Sequence, residues 1–257
     1  MKVILEANQP NKDFCIYIYK YFILIYFIYI MKLTVKNTVK FSLIVQLITG
    51  IITLYGLFIT LDEKHNILRG ILGLETLVQF VELSFYLWIA YASVKLPMMT
   101  PRRYIDWMIT TPVMLLTTIM FMKYEEKRVE DKLEEEPVKF WDFIKNYKTE
   151  ILVISFYNFM MLLSGYIGEK NIISKYITTP VGFFFFYKSF NLIYTDFAQK
   201  SKLGKQIFKF LLSIWGLYGV AALLPIKEKN ISYNLLDLVS KNFYGLFIFY
   251  KILKLSN

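Results

Sequence analysis

The chain has 257 residues, 56% of them hydrophobic and 18% aromatic, which is far more apolar than a soluble domain of this length and excludes disorder. Its 30 Lys and Arg against 20 Asp and Glu give a net charge of +10, but the charges fall between long apolar runs instead of forming one face, which argues against a nucleic-acid partner. A single cysteine, Cys15, excludes an intramolecular disulfide, and with a single histidine, His65, neither a Cys-rich metal site nor classical zinc chemistry is expected.

A hydrocarbon core about 30 Å thick takes roughly 20 apolar residues per helix. Runs of that length between polar joints therefore mark the spans. The first apolar run, 14–31, is shorter, is interrupted by Lys20 and ends at a second methionine, Met31. It reads as a signal anchor, an eighth helix or sequence upstream of the true start. The third reading is favoured, because MKLTVKNTVK makes an adequate N-terminus, so 1–31 is expected to be an extension and 32–257 a seven-helix domain. Seven runs follow at about 38–60, 66–94, 101–122, 149–168, 172–196, 203–225 and 232–254 and leave no room for a separate soluble domain. The predicted fold is an all-α membrane protein, a bundle of seven antiparallel spanning helices around one internal pocket. The one long joint, 123–148, carries seven basic among eight acidic residues and reads as a solvated helical extension or loop. Placing it in the cytoplasm with 61–65, 197–202 and the C-terminus satisfies the positive-inside bias and puts the N-terminus of the first span outside. Asn230-Ile231-Ser232 is a weak glycosylation signal in an outer joint.

A charge in hydrocarbon costs about 2.5–3.5 kcal/mol, so each ionisable residue inside a span is a functional candidate. The last run, LLDLVSKNFYGLF, holds Asp237 and Lys241 at i, i+4, on one face. The third, RRYIDWMITTPVMLLTTIMF, puts Arg103, Asp106, Thr110 and Thr117 on one face at spacings of 3, 4 and 7. A buried ion-pair network that only holds helices together is the plain alternative. The second run puts Glu75, Gln79, Glu82 and Tyr86 on one face at spacings of 4, 3 and 4. That stripe is either an interhelical ladder with protonated glutamates or the wall of a cation path.

These residues carry a resemblance to the microbial rhodopsins, seven-helix proteins that bind retinal. Arg103, Tyr104, Asp106, Trp107, Thr110, Thr111 and Pro112 match the family's third-helix pattern R-Y-x-D-W-x-x-T-T-P; Asp237 and Lys241 match its D-x-x-x-K, and Trp215 and Tyr218 its W-x-x-Y. The resemblance spans the whole body, about 38–254. It implies an all-trans retinal held covalently on Lys241 as a protonated Schiff base, with Asp106 and Asp237 as opposing charges and Arg103 balancing them. Trp107, Thr111, Trp215 and Tyr218 would line the chromophore site. It implies a photoactive transporter or sensor in a lipid bilayer, not an enzyme.

The departures also inform. Gly219 and Ala222 stand where the proton pumps of the family carry a proline and a second tryptophan, which implies a looser pocket; Thr117 stands where they carry a carboxylic proton donor, and Lys229 where some carry a release carboxylate. Glu75 and Glu82 resemble the second-helix glutamates of the channelrhodopsins, and Asn242 their gate asparagine. The string LETLVQFVELSFYLW resembles the second helix of the channel-forming rhodopsins of large DNA viruses. The reading is a light-gated cation channel with Glu75, Gln79, Glu82, Asn242, Thr110 and Thr117 along the path and a Glu82/Asn242 constriction. A light-driven outward proton pump and a sensory photoreceptor are the alternatives. Small cations or protons are the expected partners, and a homo-oligomer is compatible with all three readings. Lys188 is expected to snorkel to the interface or, second, to pair with Glu75, and Asn158 to approach Thr111.

Overall fold

The computed structural model describes residues 33–91 and 95–256; the apolar run at 14–31, with the expectations attached to it, lies outside the described residues. In chain order the helices are α1 (Val35–Gly56), α2 (Asn66–Tyr91, after a 3-10 turn Glu63–His65), α3 (Leu96–Val129), the short α4 (Phe140–Asn146), α5 (Lys148–Glu169), α6 (Lys175–Asp196), α7 (Lys202–Ala221), α8 (Ile226–Asp237) and α9 (Phe243–Ser256). A π-helical turn, Leu238–Asn242, joins α8 to α9 without a break. With α8, the π turn and α9 counted as one, seven long helices among the described residues form the bundle that the seven apolar runs predict.

By length and composition alone, Val35–Gly56, Glu63–Tyr91, Leu96–Val129 and Lys148–Glu169 are apolar enough to cross a membrane. The remaining three fall short of that measure: the π turn divides the last helix into pieces of 12 and 14 residues, Lys188 and Asn191 interrupt α6, and Lys205 and Lys209 interrupt α7. The helices also outrun or fall inside their apolar runs. α3 begins at Leu96, not 101, because Pro97 sits in the first turn, where its missing N–H has no intrahelical partner to lose. α8 begins at Ile226, capped by Pro225, although the apolar run begins at 232; Lys227, Glu228 and Lys229 end the hydropathy signal without ending the helix. α3 continues past 122 to Val129, which makes the first part of the long joint a helical extension.

α1 shows how the lipid inverts the usual pattern. Thr38, Ser42, Gln46, Thr49, Thr53 and Gly56 form its buried face, while Ile44, Leu47, Ile48 and Ile51 are exposed. Lipid tails solvate apolar side chains as well as a core does, so the polar and small residues turn inward, where they find partners and allow close approach. Gly56 marks such an approach: a Cβ there would lie 2.6 Å from a Phe249 ring carbon and 2.7 Å from Leu72 Cδ2. Gly56→Ala is expected to cost about 1–3 kcal/mol by overpacking, read as a lower melting temperature in detergent. An unchanged melting temperature would mean that Phe249 and Leu72 yield freely.

The end of the bundle that carries the 123–148 joint is closed by a dry layer. Leu68, Ile71, Leu72, Phe121 and Ile248 are all fully buried there. Beyond it, Tyr124 meets His65 Nδ1 at 2.8 Å, and Glu125 pairs with Arg128 at 2.7 Å and Lys251 at 3.9 Å. Asp131, at φ 57°, turns the chain out of α3.

Candidate functional site

Lys241 lies inside the π turn, 1% exposed. Its amine nitrogen is 2.7 Å from Asp106 Oδ2 on α3 and 3.6 Å from Glu82 Oε1 on α2. Taking an ammonium and carboxylates out of water costs several kcal/mol each, and only close pairing offsets it. The i, i+4 face of Asp237 and Lys241 is divided between two partners. Asp237 accepts from Arg103 Nη1 at 2.8 Å, Tyr86 Oη at 2.8 Å, Tyr218 Oη at 2.8 Å and Trp107 Nε1 at 3.3 Å. Arg103 also donates to Tyr86 at 3.0 Å and to the Asn234 side-chain oxygen. Asn234 donates to Thr38 at 2.7 Å and so ties this cluster to α1.

Toward the joint end, the polar groups continue along α1, α2 and the last helix. Thr49 donates to Asn242 Oδ1, and Thr53 donates to Gln79 Oε1 at 3.3 Å. Thr117 donates to Glu75 Oε1, and Tyr244 donates to the Thr117 carbonyl at 3.1 Å. Asn242 accepts from Thr49, its Nδ2 and both Glu82 oxygens have no hydrogen-bond partner among the described residues, and Glu82 leans toward the lysine charge. The second expectation for Lys188 is corrected. Lys188 is exposed and lies over the Phe184 ring, 5.7 Å from its centroid, while Glu75 is engaged by Thr117. Thr110 bonds back to the Asp106 carbonyl at 2.9 Å, and Thr111 to that of Trp107 at 2.7 Å while accepting from Asn158 at 2.8 Å.

On the other side of Lys241 a cavity of about 770 Å³, counting its open mouth, runs between α3, α5, α6 and α7. Trp107, Thr111, Met161, Phe186, Trp215 and Tyr218 are among its walls, with Lys241 at one end. The Trp107 and Tyr218 rings meet edge to face at 5.4 Å. Gly219 and Ala222 both line it, and Phe183 leans over Gly219 into the space a side chain would fill. A flat, apolar, rod-like group that ends in a carbonyl fits such a slot: the aromatic faces offer no polar competition and the buried amine is the nucleophile.

Two parts of the site were not singled out from the sequence. The α1 face, Thr38, Ser42, Gln46, Thr49 and Thr53, has spacings of 4, 4, 3 and 4, the helical period that also marks α2. The far end is not bare of acid, because Glu169 pairs with the buried Lys229 at 2.6 Å.

The family model for bacteriorhodopsin-like proteins matches residues 37–255. The chain belongs to this family. The family binds retinal and works in membranes, with light-driven ion transport among its activities. Among solved structures, the chain is similar to viral rhodopsin OLPVRII, with 27% identity, a TM-score of 0.73 and coverage of 86% of this chain and 98% of that one. The thermophilic rhodopsin from Rubrobacter xylanophilus (18% identity, TM-score 0.67, covering 86% and 97%) and bromide-bound halorhodopsin from Halobacterium salinarum (13%, 0.64, covering 85% and 93%) share the fold. No curated protein matches the chain.

Proposed function

We propose that this chain is a light-gated cation channel with retinal on Lys241. The observation that carries the reading is a run of fully buried polar atoms that have no hydrogen-bond partner among the described residues, between α1, α2 and the last helix: both amide atoms of Gln46, Gln79 Nε2, Asn242 Nδ2 and Glu75 Oε2. Buried polar groups are normally paired, since each unpaired one costs about 1–3 kcal/mol. A row of them in mid-membrane suits a path whose occupants are water and cations, which acidic side chains and amides solvate in place of bulk water.

Retinal, when bound, supplies absorption of visible light and isomerisation of a double bond. The chain supplies the rest. Lys241 holds the chromophore, the walls of Trp107, Trp215 and Tyr218 exclude water, and the carboxylate of Asp106 keeps the lysine nitrogen protonated in the dark. Transfer of that proton to Asp106 Oδ2 cancels both charges of the pair. The charge that draws Glu82 toward Lys241 is then gone, and the apolar layer at Leu72, Phe121 and Ile248 is the barrier that must part for ions to pass. The reading places the 123–148 joint and the C-terminus in the cytoplasm, as the lysine distribution favours.

Whole-cell voltage clamp with added retinal tests it. A light-induced current whose reversal potential moves when sodium is replaced by a large impermeant cation is the expected result; a steady outward current at zero driving force would replace the channel by a pump. Gln46→Leu is expected to reduce the photocurrent without moving the absorption maximum, since Gln46 belongs to the path and not to the cavity walls. An unchanged current would remove α1 from the path. One observation favours the pump: Thr117, at the donor position, is bonded to the Glu75 carboxyl, so α2 brings to that level the acid that α3 lacks.

A further inference from the structure

Four exposed lysines at the joint end of α6 and α7, Lys188, Lys202, Lys205 and Lys209, have no carboxylate partner among the described residues. Lys188 lies over the Phe184 ring, and Asp196, at the end of α6, accepts from Thr195 at 2.9 Å. Two of the four lysines are deep. Lys188 stands eight residues before Asp196, the last of α6, and Lys209 seven after Lys202, the first of α7, which sets both about 10–12 Å below the helix ends at about 1.5 Å per residue. A charge on the lipid face at that depth is costly unless it meets a headgroup or a counter-charge.

The lysines of the two helices face one groove. Tyr194 of α6 and Phe208 of α7 meet with ring centroids 5.0 Å apart and mark the seam between the helices. At about 100° per residue, Asn191 and Lys188 lie about 60° and 120° round α6 from Tyr194, and Lys205, Lys209 and Lys202 about 60°, 100° and 120° round α7 from Phe208. The two helices are antiparallel, so rotations that are opposite in sense when viewed from one end turn toward the same side of the seam. Phe190, about 40° the other way round α6, is buried and meets Phe208 at 5.9 Å, which marks the opposite side as the interior. Below the lysines the groove turns apolar, with Phe184, Leu212 and Val220 exposed along it. Gly216, between the last two, leaves a dent: a Cβ there would meet nothing within 4 Å.

We propose that this groove seats one anionic phospholipid of the leaflet at the joint end, with its phosphate among Lys188, Lys205, Lys209 and the Asn191 amide and an acyl chain in the dent at Gly216. The ammonium groups supply charge and three donors each, and the amide supplies further donors to the phosphate oxygens. Free phosphate has no chain to hold it at this depth, and a zwitterionic lipid brings a cation of its own against the lysines. An anionic diacyl lipid meets both the charge above and the apolar channel below. The groove shares no residue with the walls of the Lys241 cavity or with the unpaired polar run along α1 and α2.

Native mass spectrometry of the full chain in mild detergent, titrated with dioleoyl phosphatidylglycerol or dioleoyl phosphatidylcholine, tests the site. One phosphatidylglycerol is expected to stay bound at concentrations where phosphatidylcholine does not; equal retention of the two would overturn the proposal. Lys205→Gln with Lys209→Gln is expected to raise the apparent Kd for phosphatidylglycerol about 30-fold, at about fivefold for each lysine beside an anionic headgroup. Lys139→Gln with Lys145→Gln removes the same charge from exposed positions at the same end and should leave that Kd unchanged. Equal weakening by the two pairs would mean diffuse attraction and no seat. Gly216→Phe changes no charge but fills the dent and is expected to lose the bound lipid; undiminished retention would remove the groove as the site. An excess of inorganic phosphate should not displace phosphatidylglycerol, and displacement would replace the lipid by a plain anion. Melting in detergent checks folding and gives a second reading: phosphatidylglycerol should raise the melting temperature of the parent and not of Lys205→Gln with Lys209→Gln, and an equal rise in both would overturn the proposal.

Discussion

Lys241→Ala is expected to leave no retinal-dependent visible band. In the proposed reading the amine is the nucleophile at the end of the aromatic slot, and without it no covalent attachment forms. The same change removes the cation 2.7 Å from Asp106 and 3.6 Å from Glu82. Removing one partner of a buried pair typically costs about 3–5 kcal/mol, because a charge is left behind without compensation. Lys241→Ala should therefore melt well below the parent as well as lack colour. Lys241→Arg separates the two effects: it keeps a cation beside Asp106 and recovers part of the stability, but a guanidinium does not form the linkage, so it too stays colourless. Absorption spectra after retinal addition and melting curves in detergent are the measurements. A visible band retained in Lys241→Ala would falsify the retinal reading as a whole.

The second large effect is expected at Arg103. Arg103→Gln leaves the carboxylate of Asp237 with only the neutral donors Tyr86, Tyr218 and Trp107, and removes one of the two donors, Arg103 and Tyr86, that face the Asn234 side-chain oxygen. Both groups of the pair are almost fully buried, 2% and 0% exposed at the side chain, so the loss belongs to the class of about 3–5 kcal/mol and not to the 0–1 kcal/mol of surface pairs. Thermal unfolding in detergent reads it. The double variant Arg103→Gln with Asp237→Asn should recover a good part of the loss, because it leaves no unpaired charge, and the non-additivity measures the coupling. A loss below about 1 kcal/mol would place the pair with exposed ion pairs and remove it as the anchor between α3 and the last helix.

Much of this architecture is legible in the sequence because two kinds of signal are strong in a membrane. Apolar runs of bilayer length count the spans, and ionisable residues within them are too costly to be incidental. Lys241, Asp106, Asp237 and Arg103 stand out on that ground alone, and the structure gathers them within one cluster. Neutral polar residues carry a weaker signal. Thr38, Ser42, Gln46, Thr49 and Thr53 have the period of a buried face but no charge to announce it. Asn234 stands three residues before Asp237, and only the packing of α1 against the last helix, through Thr38, shows what it does. The register of the last helix is also less legible. A wheel drawn with ordinary α geometry places neighbouring residues about 100° apart, and the π turn at 238–242 changes that register where Lys241 and Asn242 sit.

The same turn sets a rule for splicing this chain with others. A π turn takes one residue more than an α turn, so the stretch from Phe243 onward is phased by that additional residue. Deleting one residue between Leu238 and Asn242 would let the turn close as an ordinary α turn, which leaves α9 in place but re-aims Lys241 and its neighbours. A deletion between that turn and Gly245 has no such slack: it would rotate the rest of α9 by about 100° and draw it in by about 1.5 Å, and Gly245 would leave the Gln79 amide it lies against and Phe249 would leave Gly56. Hybrids with helices from other members of the fold should therefore keep 238–242 whole and place their seams on either side of it, in α8 or α9.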